Sequence, residues 1–156
     1  MRLSIQLPLR ANHCMDYAAE YKALSTEERK ALALTEDLDP GYRPLLVRDQ
    51  WSLVKIYFGR RVDLNAEEIA LLIADPDQTV RITCARREDL TPDQVEACVQ
   101  DRDPNLRYFI ARNVRLTDVQ RALLLEDSDP LVRKAAAKGP KPRRRTRRPG
   151  QAEMIR

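Results

Sequence analysis

Glycine, histidine and aromatic residues are scarce in this chain, and each shortage removes a class of protein. Four glycines and 5% aromatics in 156 residues are too few for a barrel or sandwich of many short strands joined by tight turns. A single histidine, His13, leaves little material for imidazole-based proton transfer or metal ligation. The three cysteines, Cys14, Cys84 and Cys98, are odd in number and widely spaced, so neither a disulfide framework nor a zinc site of CxxC type is written here. No run approaches the ~18 apolar residues of a membrane span, and the opening MRLSIQLPLRANHC has no apolar stretch long enough for a secretory signal. These absences point to a reduced, cytoplasmic setting without a membrane span. No catalytic constellation, metal site, phosphate loop or cofactor motif stands out.

What is abundant is helix-forming: alanine, leucine, glutamate and arginine dominate. Hydrophobic residues make up 43% and charged residues 33%, ordinary for a folded domain of this size. The net charge of +4 is unevenly spread. Residues 141–156 hold seven Lys/Arg and one acid, a net +6, so the first 140 residues carry −2.

The chain repeats itself every 26 residues. Val54, Val80, Leu106 and Val132 fall in register. So do Lys55, Arg81, Arg107 and Arg133; then Gly59, Ala85, Ala111 and Ala137; then Arg60, Arg86, Arg112 and Lys138; then Leu64, Leu90 and Leu116. A fixed period over four units is the mark of a stacked array. Each unit reads as two short helical segments. Asp77, Asp103 and Asp129 are placed to cap the first, with proline behind the last two. The pairs Val54/Phe58, Val80/Cys84, Leu106/Ile110 and Val132/Ala136 form its core stripe. Capping boxes at Asn65/Glu68, Thr91/Gln94 and Thr117/Gln120 open the second segment, each after a leucine placed for a hydrophobic staple. Ile69 and Val95 supply the staple partner, whereas Arg121 departs from the rule.

The motif D-x-x-V-R-x-x-x-A-R, followed by L-T and L-x-x-D, is clearest in Asp101–Thr117. It resembles the leucine-rich repeat variant family. HEAT repeats share part of the wording, but on a unit nearer about 40 residues. The resemblance covers roughly residues 38–140 and implies a right-handed superhelix of alternating α- and 3₁₀-helices. The cysteine-bound iron–sulfur module of some members does not carry over, because Cys14 stands alone in the first 80 residues. The expected architecture is therefore all-α: a short α-solenoid of two-helix, 26-residue repeats. Residues 1–37 form an N-terminal cap, with a capping box at Ser25/Glu28. Residues 38–140 form the array, its first half-unit distorted by Pro44. Residues 141–156 form a disordered basic tail, since like charges and prolines oppose a packed element.

Two arginine series invite functional readings. Arg81, Arg107 and Arg133, with Lys55, are expected to be structural, paired with Asp75, Asp101 and Asp127 to tie neighbouring units. Arg60, Arg86, Arg112 and Lys138 are rotated away from the core stripe and would align as a positive row able to follow a phosphate backbone. The tail residues Arg143, Arg144, Arg145, Arg147 and Arg148 would add an electrostatic anchor, with nucleic acid favoured over membrane because no apolar anchor accompanies them. The His13–Cys14 pair lacks a third orienting group and reads as chemically silent. Cys84 and Cys98 occupy apolar repeat positions and should lie in the core. Trp51, Tyr57 and Phe58 are expected to fill the junction between cap and array. The functional expectation is a non-enzymatic scaffold for a protein partner. The alternative is a nucleic-acid-binding module using the tail and the Arg60/Arg86/Arg112/Lys138 row.

Overall fold

Where the capping signals recur, helices begin. A computed structural model describes residues 16–156. The alternation of Leu3, Ile5, Leu7 and Leu9, and the His13–Cys14 pair, lie outside the described residues. In chain order the helices are α1 (Tyr17–Ala23), α2 (Thr26–Leu34), a 3₁₀ turn (Pro40–Tyr42), α3 (Arg43–Leu46), α4 (Ser52–Gly59) and α5 (Ala66–Ile73). They continue with α6 (Gln78–Ala85), α7 (Pro92–Val99), α8 (Pro104–Ile110), α9 (Asp118–Leu125) and α10 (Pro130–Lys138), and the strands β1 (Arg145–Thr146) and β2 (Met154–Ile155) close the chain. All four capping boxes form, at Ser25/Glu28, Asn65/Glu68, Thr91/Gln94 and Thr117/Gln120. Asp77, Asp103 and Asp129 each accept a main-chain N–H two residues on. Pro44 does disturb its half-unit, which splits into the 3₁₀ turn and the four-residue α3. The second segments of the units, α5, α7 and α9, are eight-residue α-helices, and the first segments beside them are α-helical too.

The helices pack in two rows. Helices α2, α4, α6, α8 and α10 touch in succession, as do α5, α7 and α9, and the rows meet at α5–α6, α7–α8 and α9–α10. The core stripe is sealed between them: Val54, Phe58, Val80, Cys84, Leu106, Ile110, Val132 and Ala136 are all buried, with Ile69, Leu72, Val95, Cys98 and Leu124 from the second row. At Gly59 the neighbouring helix comes so close that a Cβ would sit 3.3 Å from Leu72 Cδ1, which accounts for a small residue at this register position. Phe58 is buried, but Trp51 does not fill the cap junction; it stands at the start of α4 with half its surface exposed.

Two polar ladders climb the rows with the sequence period. In the first, Arg81 Nε and Nη2 donate to the Asp101 carboxylate at 2.9 and 3.3 Å, and Arg107 repeats the fork on Asp127 at 2.7 and 3.1 Å. Lys55 holds the same register with a single bond from Nζ to Asp75 Oδ2. Each arginine also donates Nη1 backwards, Arg81 to Asp75 O, Arg107 to Asp101 O and Arg133 to Asp127 O. Every such turn is therefore held from both sides. The ladder reaches Arg29 in α2, paired with Asp49 at 3.2 Å, so the repeating bond pattern starts within the stretch expected to act only as a cap.

The second ladder is deeper. Arg61 and Arg87 are completely buried. Arg61 Nη1 donates to Ala33 O and Thr35 O, and its other nitrogens to Asp63. Arg87 Nη1 donates to Gly59 O and Arg61 O, and its other nitrogens to Asp89. One unit on, Asn113 Nδ2 donates to Ala85 O and Arg87 O at 2.9 and 2.7 Å. These acceptors lie at helix C-termini, whose last carbonyls have no partner within the helix. The next register position is Gly139, which has no side chain to offer. Arg121 of α9 serves there instead, donating to Ala111 O and Ala136 O at 3.2 and 3.3 Å. That explains its departure from the staple pattern.

Two measurements check this account. Arg87→Ala should destabilise the chain by about 2–4 kcal/mol, since it leaves buried carbonyls and a carboxylate unpaired. Arg133→Ala, at an exposed position without a carboxylate partner among the described residues, should cost under about 1 kcal/mol in the same urea titration. Alkaline pH should also destabilise the fold. Burial pushes the Cys84 and Cys98 thiols up to about 12, against about 8.5 in an unfolded chain. Their contribution is whole below the unfolded value and is lost as pH rises through that window, because only the unfolded state releases the protons. A Cys84→Ala/Cys98→Ala variant should show a shallower fall in urea midpoint between about pH 8 and about pH 10.

Candidate functional site

The C-termini of the first-row helices carry the Arg60/Arg86/Arg112/Lys138 row, and the C-terminal segment is laid across them. After α10, Gly139 turns the chain with φ +71° and the segment runs back over earlier units. Lys141 N–H donates to Arg112 O at 2.8 Å, Ile155 N–H to Arg60 O at 2.9 Å and Ala152 N–H to Leu34 O at 2.8 Å. Leu34, Arg60 and Arg112 share one register, so a run of main-chain donors meets helix carboxyl ends at the repeat spacing. Arg143 N–H donates to Glu88 Oε1 at 2.8 Å, and Val62 N–H donates to Glu153 O at 3.1 Å. Strands β1 and β2 pair antiparallel, with Arg145 opposite Ile155 and Thr146 opposite Met154. Ala152 and Met154 are buried.

Residues 141–156 were expected to be disordered, and the structure gives them this ordered course instead. The physical reason is that docking relies on backbone donors, two small apolar contacts and local ion pairs. Arg145 pairs with Glu153 at 2.7 Å, and Arg147 pairs with Glu36. Gly150, at φ +74°, permits the turn between the strands.

The expected site residues are distributed as follows. Arg60, Arg86, Arg112 and Arg143 are half-buried and lie along the contact between array and tail. Arg144, Arg145, Arg147, Arg148 and Lys138 are exposed. Lys138 ends α10 and does not join the half-buried group. The structural arginines Arg61, Arg81, Arg87 and Arg107 all pair with carboxylates. Among the described residues, no Asp or Glu carboxylate pairs with Arg60, Arg86, Arg112 or Arg143, and Arg143 Nη1 donates to Arg156 O at 3.5 Å. Arg60 Nε donates to Ile155 O at 3.1 Å. The Nε atoms of Arg86 and Arg112 are buried without a hydrogen-bond partner.

The electrostatics follow from this crowding. The Arg86 guanidinium lies over the Phe109 ring, 4.0 Å from its centroid, and Arg143 stands 5.9 Å from the same ring. Burial lowers the Arg86 pKa, and the neighbouring charges of Arg143 and Arg60 lower it further. Burial also lowers that of Arg143, with Arg112 adding to the effect and Glu88 opposing it. The row and the tail together hold eleven cations, and four carboxylates (Glu36, Glu88, Asp89 and Glu153) border the tail. This is a net +7 against a chain total of +4, so the remaining residues carry −3.

Sequence reasoning missed two features. It did not single out Arg61 and Arg87, although each is followed two residues later by an aspartate, Asp63 and Asp89, the carboxylate it binds. It also missed the docking of the tail, whose only apolar signal is Ala152, Met154 and Ile155 at the end of a charged stretch. Among the described residues no three His, Cys, Asp or Glu side chains group as a metal site requires, and no helix is long and apolar enough to cross a membrane. No family model, curated protein or solved structure matches the chain.

Ending the chain after Pro140 should lower stability by about 1–3 kcal/mol, the scale of a few lost hydrogen bonds and two exposed apolar side chains. In hydrogen exchange, the Val62 amide should lose protection in the shortened chain, because its acceptor is Glu153 O. Unchanged protection at Val62 would show that the tail does not dock in solution.

Proposed function

We propose that this protein is a non-enzymatic nucleic-acid-binding module, built on a short α-solenoid of the leucine-rich repeat variant kind. The 26-residue recurrence of both polar ladders supports the solenoid reading of the two helix rows. One observation carries the functional reading: three half-buried arginines without carboxylate partners, Arg60, Arg86 and Arg112, lie beneath a tail that brings seven cations, the half-buried Arg143 among them. By contrast, the ladder arginines Arg61, Arg81, Arg87 and Arg107 are each neutralised by an aspartate, Asp63, Asp101, Asp89 and Asp127 in turn. A row left without them matches a polyanion, and guanidinium groups suit phosphate oxygens geometrically as well as electrostatically. The −3 on the remaining residues orients the molecule, presenting this face to a phosphate backbone and turning the rest away.

A second reading rests on a separate feature of the same face. It already holds an extended chain by main-chain bonds to Leu34, Arg60 and Arg112 carbonyls, as surfaces that recognise extended peptides do. A protein partner whose extended segment replaces the tail would use those carbonyls.

Binding of a mixed-sequence single-stranded oligonucleotide across a salt series separates the two. Engagement of four or more phosphates gives a slope of log K against log salt of about −3 or steeper for a single strand. Arg86→Glu and Arg112→Glu should each weaken binding and flatten that slope. Absence of binding by the full chain at low salt would sink the nucleic-acid reading and leave the peptide reading, for which salt dependence is shallow.

A further inference from the structure

Within the basic face, one point is built differently from the rest. Arg86 from the end of α6, Arg112 from the end of α8, and Arg143 and Lys141 from the tail line one small cavity against the Phe109 ring. Resting on the nucleic-acid reading above, we propose that Arg86, Arg112 and Arg143 form a seat for a single phosphodiester of a nucleic-acid backbone, complete only while the tail is docked.

The geometry supports this in four ways. First, the Nε atoms of Arg86 and Arg112 are buried and unpartnered. A desolvated guanidinium donor without an acceptor is costly, and an oxyanion would satisfy both at once. Second, the Phe109 ring supports the face of Arg86 at 4.0 Å, which fixes the guanidinium plane while leaving its N–H edge free. Third, neighbouring polar groups are already engaged. Asn113 Nδ2 is spent on Ala85 O and Arg87 O, and Glu88 Oε1 accepts the main-chain N–H of Arg143. The one carboxylate at the cavity thus anchors the tail's backbone and forms no ion pair with these guanidinium groups. Fourth, docking brings Arg143 beside Arg86 and Arg112; burial is the main cause that lowers the Arg86 and Arg143 pKa values, and the neighbouring like charges lower them further. A bound dianion or monoanion turns that repulsion into attraction.

The surroundings favour a backbone phosphate over an isolated phosphorylated side chain. Arg60 continues the row by one unit, and Arg148 and Arg156 of the tail line one groove with it. A single phosphate would leave most of the net +7 uncompensated, whereas a polyanion running along the row would meet it.

The test uses the full chain, a mixed-sequence single-stranded oligonucleotide, and inorganic phosphate as separate probes. Arg86→Lys, Arg112→Lys and Arg143→Lys keep the charge but remove the guanidinium, and Arg48→Lys and Arg102→Lys, at exposed positions outside the row and the tail, serve as controls. Each seat variant should weaken oligonucleotide binding about tenfold, as expected where planar multidentate donors matter. The controls should change it by less than about twofold. In NMR titrations the Nε–H signals of Arg86 and Arg112 should shift with the oligonucleotide, and more weakly with inorganic phosphate. Arg86→Lys also disturbs packing on Phe109, so melting temperatures accompany each variant, and Arg112→Lys stands as the independent case. Lysine variants that bind like the parent chain would overturn the seat while leaving a diffuse basic face intact. A response to inorganic phosphate without oligonucleotide binding would overturn its assignment to nucleic acid, and with it the reading on which it rests.

Discussion

The structure depends on satisfying the last carbonyls of short helices. A helix of seven to nine residues leaves a large share of its carbonyls without an internal partner, and stacking such helices buries those groups away from water. Arg61, Arg87 and Asn113 meet this need one unit at a time, each reaching back 26 and 28 residues to the helix before it. The apolar stripe supplies most of the burial. The donors decide that helices stack in this register and no other, because a misplaced helix would strand buried oxygens.

The same physics separates structural from available charge. Arg86 and Arg87 are adjacent in sequence yet have opposite surroundings. Arg87 points into the stack and is met by two carbonyls and a carboxylate. Arg86 caps the outside of the helix end, lies on an aromatic ring and has no carboxylate. One residue of rotation thus divides a fastener from a contact surface. The tail sharpens the difference, since it adds cations to a row that already lacks acids and fixes them there by backbone bonds.

Much of this was legible in the sequence, for identifiable reasons. Caps are local, so Asn65/Glu68, Thr91/Gln94 and Thr117/Gln120 declared their helices outright, and the pairing of Arg81 and Arg107 with aspartates followed from residues in constant register. The membership of α2 in the same pattern was hidden because Glu28 stands where later units have Val54, Val80 and Leu106. There it completes a capping box instead of filling the core. The course of the tail was hidden more deeply. Its docking is written in N–H and C=O groups that every residue possesses, and composition speaks only for the side chains, which repel. Arg61 and Arg87 were overlooked because a buried guanidinium looks the same in sequence as an exposed one; only the aspartate two positions on marks the difference.

The fixed reach of those donors has an evolutionary consequence. A single inserted or deleted residue between Arg61 and Arg87 would shift a buried guanidinium off both of its carbonyl acceptors, and every later unit would inherit the offset relative to the tail. Loss or gain of a whole 26-residue unit would preserve both ladders. Change in length should therefore come in quanta of one unit, and relatives of this chain would differ in how many units they stack while keeping the length of each.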